Sequence, residues 1–251
     1  MELDLKGKNI FITGAAKGIG RGIALAAAGE GANIALHYFS SEEAVMQTAS
    51  EIKGIFGVNV QLVKGDIASI EDVKKMKEEL DQGLGGIDGI VNNAGLSQMK
   101  SFFQYQPDEW KREVDVCFYG ALNVVHTFMP GMIEKNQGKF INIVGDSART
   151  GDKYFILSAA ARNGAIGFIK SLAQDVGKSN VQCNTVSLGL VNSGSLNFNE
   201  DVLSKIAKQY PLKRLGKVED VTGIILFLLS NHADWITGQV ISVNGGHNMY
   251  G

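Results

Sequence analysis

The 251-residue chain has little of what staples or interrupts small folds: two cysteines, three prolines, two tryptophans and four histidines. Cys117 and Cys183 lie far apart and read as reduced thiols. Neither the cysteines nor the scattered His37, His126, His232 and His247 have metal-ligand spacing, so no metal site is expected. Sparse thiols fit a cytoplasmic protein. Charge of one sign is also missing. Lys and Arg number 24 against 26 Asp and Glu, a net −2 that leaves no electrostatic footprint for nucleic acid. No apolar run approaches the roughly 20 residues that span a bilayer, so no membrane partner is expected. The opening Met1-Glu2-Leu3-Asp4 lacks a basic stretch followed by an apolar one, so no secretory leader is expected. Linkers, repeats and low-complexity segments are absent. With 45% hydrophobic residues, 1–251 reads as one domain with a full core.

What is present alternates. Short β-rich runs (Asn9–Ile12, Asn33–Tyr38, Asn59–Lys64, Ile87–Val91, Lys139–Val144, Val181–Val186, Gln239–Val243) are separated by helical segments (Ser41–Phe56, Ile70–Leu84, Pro107 to about Glu134, Phe155–Val176, Glu219–Leu229). A further helix leaves the first run. Strands alternating with helices imply a parallel sheet covered on both faces, here a doubly wound, seven-stranded α/β sheet. The least regular stretch, Asn192 to Gln209, follows a strand end, where ligands bind in such sheets, and is read as a substrate lid.

One stretch organises the chain: Ile12-Thr13-Gly14-Ala15-Ala16-Lys17-Gly18-Ile19-Gly20. Strand, glycine turn, helix is the geometry that presents backbone N–H groups to a pyrophosphate. Gly14 serves the sharp turn; Gly18 and Gly20 allow close approach to phosphate and sheet.

With these residues the chain resembles the short-chain dehydrogenase/reductase family, in the style of 3-oxoacyl-carrier-protein reductases. The likeness runs from about Leu5 to Gly246. It rests on the glycine turn, Asp66, Asn92-Asn93-Ala94-Gly95, Ile141-Asn142-Ile143, Gly167-x-x-Lys170-Ser171-Leu172-Ala173, Ile236-Thr237-Gly238-Gln239 and Gly245-Gly246. The resemblance implies a Rossmann fold, an NAD(P) cofactor, a small-molecule substrate and a homotetramer or homodimer. It assigns Gly14, Gly18, Ile19 and Gly20 to the pyrophosphate, Asp66 and Ile67 to the adenine, and Asn92, Ala94 and Gly95 to the adenosine ribose. Gly189, after the sixth strand, and Arg162 complete the implied cofactor set. NAD-using relatives place an acid at the end of the second strand; here Tyr38 stands there, followed by Phe39-Ser40-Ser41. With Lys17 in the turn and no carboxylate, Tyr38, Ser40 and Lys17 favour NADP(H) over NAD(H).

The catalytic pattern departs from the family at every position. Where the resemblance implies Asn, Ser, Tyr and Lys, the chain has Cys117, Gly145, Ser158 and Arg162, and no Tyr is followed four residues later by Lys. A serine hydroxyl is a far poorer proton donor than a phenol. Arg162 offers a planar fork of donors but does not shuttle protons. Ketone reduction by the usual route is therefore disfavoured. The expected activity is an atypical NAD(P)(H)-dependent reduction of a conjugated, enone-type carbonyl, whose enolate needs donors more than an immediate acid. Arg162, Ser158 and Tyr154 are the candidate catalytic residues. Ser147 is a second candidate donor, and Arg149 or Lys153 a candidate carboxylate anchor, on the loop Asp146–Tyr154. Cys117 reads as a small core thiol. The alternatives are a non-redox isomerase or lyase on the same fold, and a non-catalytic dinucleotide-binding partner subunit.

Overall fold

A computed structural model of the chain describes residues 2–194 and 199–249. The first half runs β1 (Asn9–Ile12), α1 (Gly18–Gly29), β2 (Asn33–Tyr38), α2 (Glu42–Phe56), β3 (Val60–Lys64), α3 (Ile70–Leu84) and β4 (Gly89–Asn92). Next come α4 (Pro107–Val114), a π-helical turn (Asp115–Tyr119) and α5 (Gly120–Glu134), then β5 (Gly138–Gly145) and α6 (Ser147–Thr150). The rest is α7 (Ile156–Val176), β6 (Val181–Leu188), β7 (Val191–Asn192), α8 (Glu200–Ala207), β8 (Gly216–Lys217), α9 (Val218–Leu229) and β9 (Val240–Val243).

Seven parallel strands form one sheet in the order β3-β2-β1-β4-β5-β6-β9, the doubly wound Rossmann arrangement. The strand period of two divides the core into two layers. Ile10, Ile12, Leu36, Val91 and Ile141 face one side and meet Ile23 and Ala27 of α1, Val45 and Ile52 of α2, and Val221 and Ile225 of α9. Phe11, Ala35, Ile90, Phe140 and Cys183 face the other, against Val73 and Leu80 of α3, Val124 and Phe128 of α5, and Ile169 of α7. Cys183 is a core thiol there, its pKa pushed by burial to about 12. The chain turns back past β1 to reach β4. The crevice beyond these two strand ends is the switch point where such sheets bind ligands.

Two elements depart from the sequence expectation. Residues 195–198 of the expected lid lie outside the described residues, but its second half is not irregular. Asn199 caps α8 by accepting from the Val202 N–H at 2.9 Å, and Glu200 and Asp201 occupy its first turn. Residues 147–150, expected as loop, form α6. The continuous helix 107–134 is, by length and composition, one that could cross a membrane, an exception to the expected lack of such a segment. Val116, Val124, Val125, Phe128, Met129 and Met132 are nevertheless buried in the second layer, as in a core helix.

Candidate functional site

The glycine turn joins β1 to α1 at the switch point. Gly14 and Gly18 have φ of +64° and +60°, where a side chain would be strained. A Cβ on Gly20 would strike the Gly14 carbonyl oxygen. The N-terminus of α1 has no capping side chain and no acid in its first turn. By contrast α2, α3, α8 and α9 all carry acids there. The first N–H groups of α1 thus remain for an anion, in a cradle that side chains would fill, and this fits a pyrophosphate.

Residues outside the glycine pattern hold the turn. Thr13 Oγ1 accepts the Asn93 and Ala94 N–H groups, each at 2.9 Å, and donates to Asn92 Oδ1 at 3.3 Å. Asn93 Nδ2 donates to the carbonyls of Thr13 and Gly14 at 3.0 and 3.1 Å. His37 is buried, accepts the Gly14 N–H at Nδ1 (3.0 Å) and bonds the Gly65 carbonyl through Nε2 (2.9 Å). Burial lowers its pKa below the ordinary histidine value. Asn92, a candidate ribose contact, is buried as well, and its amide donates to Asn142 Oδ1 at 2.9 Å. Its side chain braces the strands beneath the site. Ala94 and Gly95 continue the β4 loop along the crevice, with Gly95 exposed.

At the end of β2 the expected Tyr38 does not face the crevice. It is 9% exposed and belongs to the core, because strand alternation turns it inward. Phe39, 54% exposed, and the exposed Ser40 are what the end of β2 presents, with Lys17 exposed in the turn. Asp66 Oδ1 accepts the Ala68 N–H at 2.9 Å, and Oδ2 pairs with Arg112 of α4 at 2.6 Å. Ile67 is buried, its carbonyl held by Asn123 at 2.9 Å. Gly189 packs so tightly that a Cβ would come within 3.0 Å of Asn244 Cα.

Cys117, Arg162, Gly145 and Ser158, the residues expected at the tetrad positions, come next along the crevice. Cys117, in the π-helical turn, donates from Sγ to the Leu96 carbonyl at 3.0 Å. Arg162 Nη1 reaches Ser97 Oγ at 3.0 Å, with Nη2 against Gly95. Tyr105 donates to the Gln98 carbonyl at 2.8 Å and lies 3.1 Å from buried Glu113 Oε2; burial pushes its phenol up to about 12. The segment after Gly95 is thus held residue by residue. Gly145 opens onto space in which Ser147 Oγ lies 3.5 Å from an added Cβ, so Ser147 brings a hydroxyl beside the position the sequence leaves empty. Ser158 does not serve as expected: it is 0% exposed and donates to the Phe155 carbonyl at 3.2 Å. A side chain on the inner face of α7 offers a substrate nothing.

Tyr154 is 45% exposed, its carbonyl accepting the Lys100 N–H at 3.2 Å and its ring under Lys153 Nζ at 4.8 Å. Arg149 points to β9, donating to Ser242 Oγ at 2.7 Å. Below the site Asp146, 6% exposed, accepts from Ser187 (2.5 Å), Asn244 (2.6 Å) and Asn248 (3.1 Å). Among the described residues no cluster of metal-ligating side chains occurs.

A family model described as Enoyl-(Acyl carrier protein) reductase matches residues 14–248. The chain belongs to the short-chain dehydrogenase/reductase family. It is 35% identical over 247 residues to the 3-oxoacyl-[acyl-carrier-protein] reductase FabG of Aquifex aeolicus, covering 98% of this chain and 99% of that one. It is 30% identical over 238 residues to the acetoacetyl-CoA reductase of Shinella zoogloeoides, covering 94% and 96%. The structure of 3-oxoacyl-[acyl-carrier protein] reductase from Brucella melitensis superposes with a TM-score of 0.91 at 30% identity, covering 98% and 93%. The chain is therefore an oxidoreductase of the short-chain dehydrogenase/reductase family, 3-oxoacyl-carrier-protein reductase-like. Sequence reasoning missed His37 and Arg112, and quoted Asn93 only within its motif. A polar residue at a strand end was the only signal for the first, and Arg112 sits on a helix remote in sequence from the nucleotide turn.

Proposed function

We propose that the protein binds NADP(H) and reduces the carbon–carbon double bond of a small conjugated carbonyl compound. The observation that carries this reading is the pairing of Arg162 and Ser147 near the β4 and β5 ends with a fully buried Ser158 where a phenol acid would stand. The nicotinamide, when bound, supplies a hydride. Delivery of that hydride to the β-carbon would move the alkene electron pair toward the carbonyl oxygen. The remaining N–H groups of Arg162 and the Ser147 hydroxyl would stabilise the enolate charge on that oxygen by donation, until the α-carbon takes a proton from water. A ketone would instead leave a strongly basic alkoxide that needs a positioned acid. The enoyl-reductase description of the family model supports this reading. Lys17, Ser40 and the absence of a carboxylate at the β2 end support NADP(H). The same reading takes the protein as cytoplasmic and as a homotetramer or homodimer; sedimentation tests the assembly.

A second reading has its own support. Cys117 and Arg162 both hold the segment after Gly95, as in a subunit that binds nucleotide without turning over. Titration with NADPH and NADH, followed by enone and ketone panels at the nicotinamide absorbance, separates the two. Oxidation by enones and not ketones is expected. Binding with no oxidation by any enone would overturn the first reading in favour of the second.

A further inference from the structure

Beyond Lys17 and the β2 end, the structure places one more cation at the adenosine pocket. We propose that Arg112, reaching from α4, is the residue that selects the 2′-phosphate. This rests on the dinucleotide reading above. Helix α4 belongs to the other side of the crevice from the glycine turn, yet the Arg112 guanidinium crosses to the ends of β2 and β3. Its Nη1 pairs with Asp66 Oδ2 at 2.6 Å, and its Cζ lies 5.5 Å from the centre of the Phe39 ring. Phe39 is the first residue after β2, the strand end where nucleotide-binding sheets meet the adenosine ribose.

Three features make this cation a selector. First, it is pre-oriented. The carboxylate holds one edge of the guanidinium and the aromatic face lies beside its plane, so little side-chain freedom remains to be lost on binding. Second, its geometry is right: Arg matches a phosphate bidentately, which Lys17, a point charge on an exposed stem, does not. Third, the side chain is 39% exposed, so N–H groups not used by Asp66 can reach a ligand. Asp66 keeps its place in this arrangement. Each of its oxygens accepts one bond, from Ala68 or from Arg112, and each retains a lone pair for an adenine amino group. Its charge also penalises any anion that Arg112 does not meet directly, which sharpens the dependence on Arg112.

The test uses the full chain and two fragments, 2′,5′-ADP and 5′-AMP, which differ only in the 2′-phosphate, with affinity read by calorimetry at low salt. The wild type should bind 2′,5′-ADP about tenfold or more tightly than 5′-AMP. Arg112→Leu should bring that ratio close to one. Arg112→Lys should retain part of the ratio, which also shows that the site is folded without the guanidinium. An unchanged ratio in Arg112→Leu, or one lost only in Lys17→Met, overturns the proposal while leaving dinucleotide binding intact. Failure of the wild type to bind NADPH, NADH or either fragment overturns both.

Discussion

His37 accepts from the Gly14 amide and must therefore donate from Nε2 to the Gly65 carbonyl, and only the neutral ring does both. Protonation would set N–H against N–H under the glycine turn. Its folded pKa is depressed by burial, so the unfolded chain binds the proton first. The contribution to stability is intact above about pH 6.5, the unfolded value, and is lost as pH falls from there toward the folded pKa, by at most about 1.4 kcal/mol per pH unit. Nitrogen-15 NMR should show the Nε2–H tautomer at pH 7, and His37→Phe should remove the corresponding part of the acid slope in urea melts. A doubly protonated ring at pH 7 would refute the assignment. Gly95 offers a second residue-scale probe. A Cβ there strikes Arg162 Nη2, the movable end of a side chain, so Gly95→Ala should shift stability by less than about 1 kcal/mol. It should nonetheless cut enone-dependent NADPH oxidation in the same direction as Arg162→Leu, for which a loss of about 10²-fold is expected. Full activity in Gly95→Ala would show that the guanidinium position is immaterial.

Among the elements, α8 stands apart. It has no buried residue and depends on its Asn199 cap and end charges. Asn199→Ala should cost the helix about 1 kcal/mol. The loss should appear as faster amide exchange confined to 200–207, because a local opening does not draw on the core. A fall of several degrees in Tm would instead tie α8 to the global fold. The helix 107–134 behaves differently. Its π-helical turn carries Cys117 and its first turns carry Arg112, so one element braces Asp66 beyond β3 and the segment after Gly95 together.

Across the whole molecule, Asp146 gathers the ends of β5, β6 and β9 and the C-terminal segment through Ser187, Asn244 and Asn248. Asp146→Ala would leave buried donors unpaired. Hydrogen bonds to a charged acceptor imply a loss of about 3 kcal/mol, and for a chain of this size a fall in Tm of about 6–12 °C. Calorimetry of the variant measures it; a change under 2–3 °C, roughly 1 kcal/mol, would mean that the network is dispensable.

Much of this was legible in the chain alone. Alternating strands and helices implied the parallel sheet, and Gly14, Gly18 and Gly20 marked the tight turn from β1 into α1, because periodicity and backbone freedom act over a few consecutive residues. That no Tyr is followed four residues later by Lys was equally plain. What the sequence could not show is which side chains meet. The inward turn of Tyr38, the Gly14–His37–Gly65 bridge, the Arg112–Asp66 pair across the crevice, and Ser147 beside Gly145 all join segments distant in sequence or set by a local bend. Strand register and helix placement decide those meetings, and they exist only once the sheet has assembled and buried both of its faces.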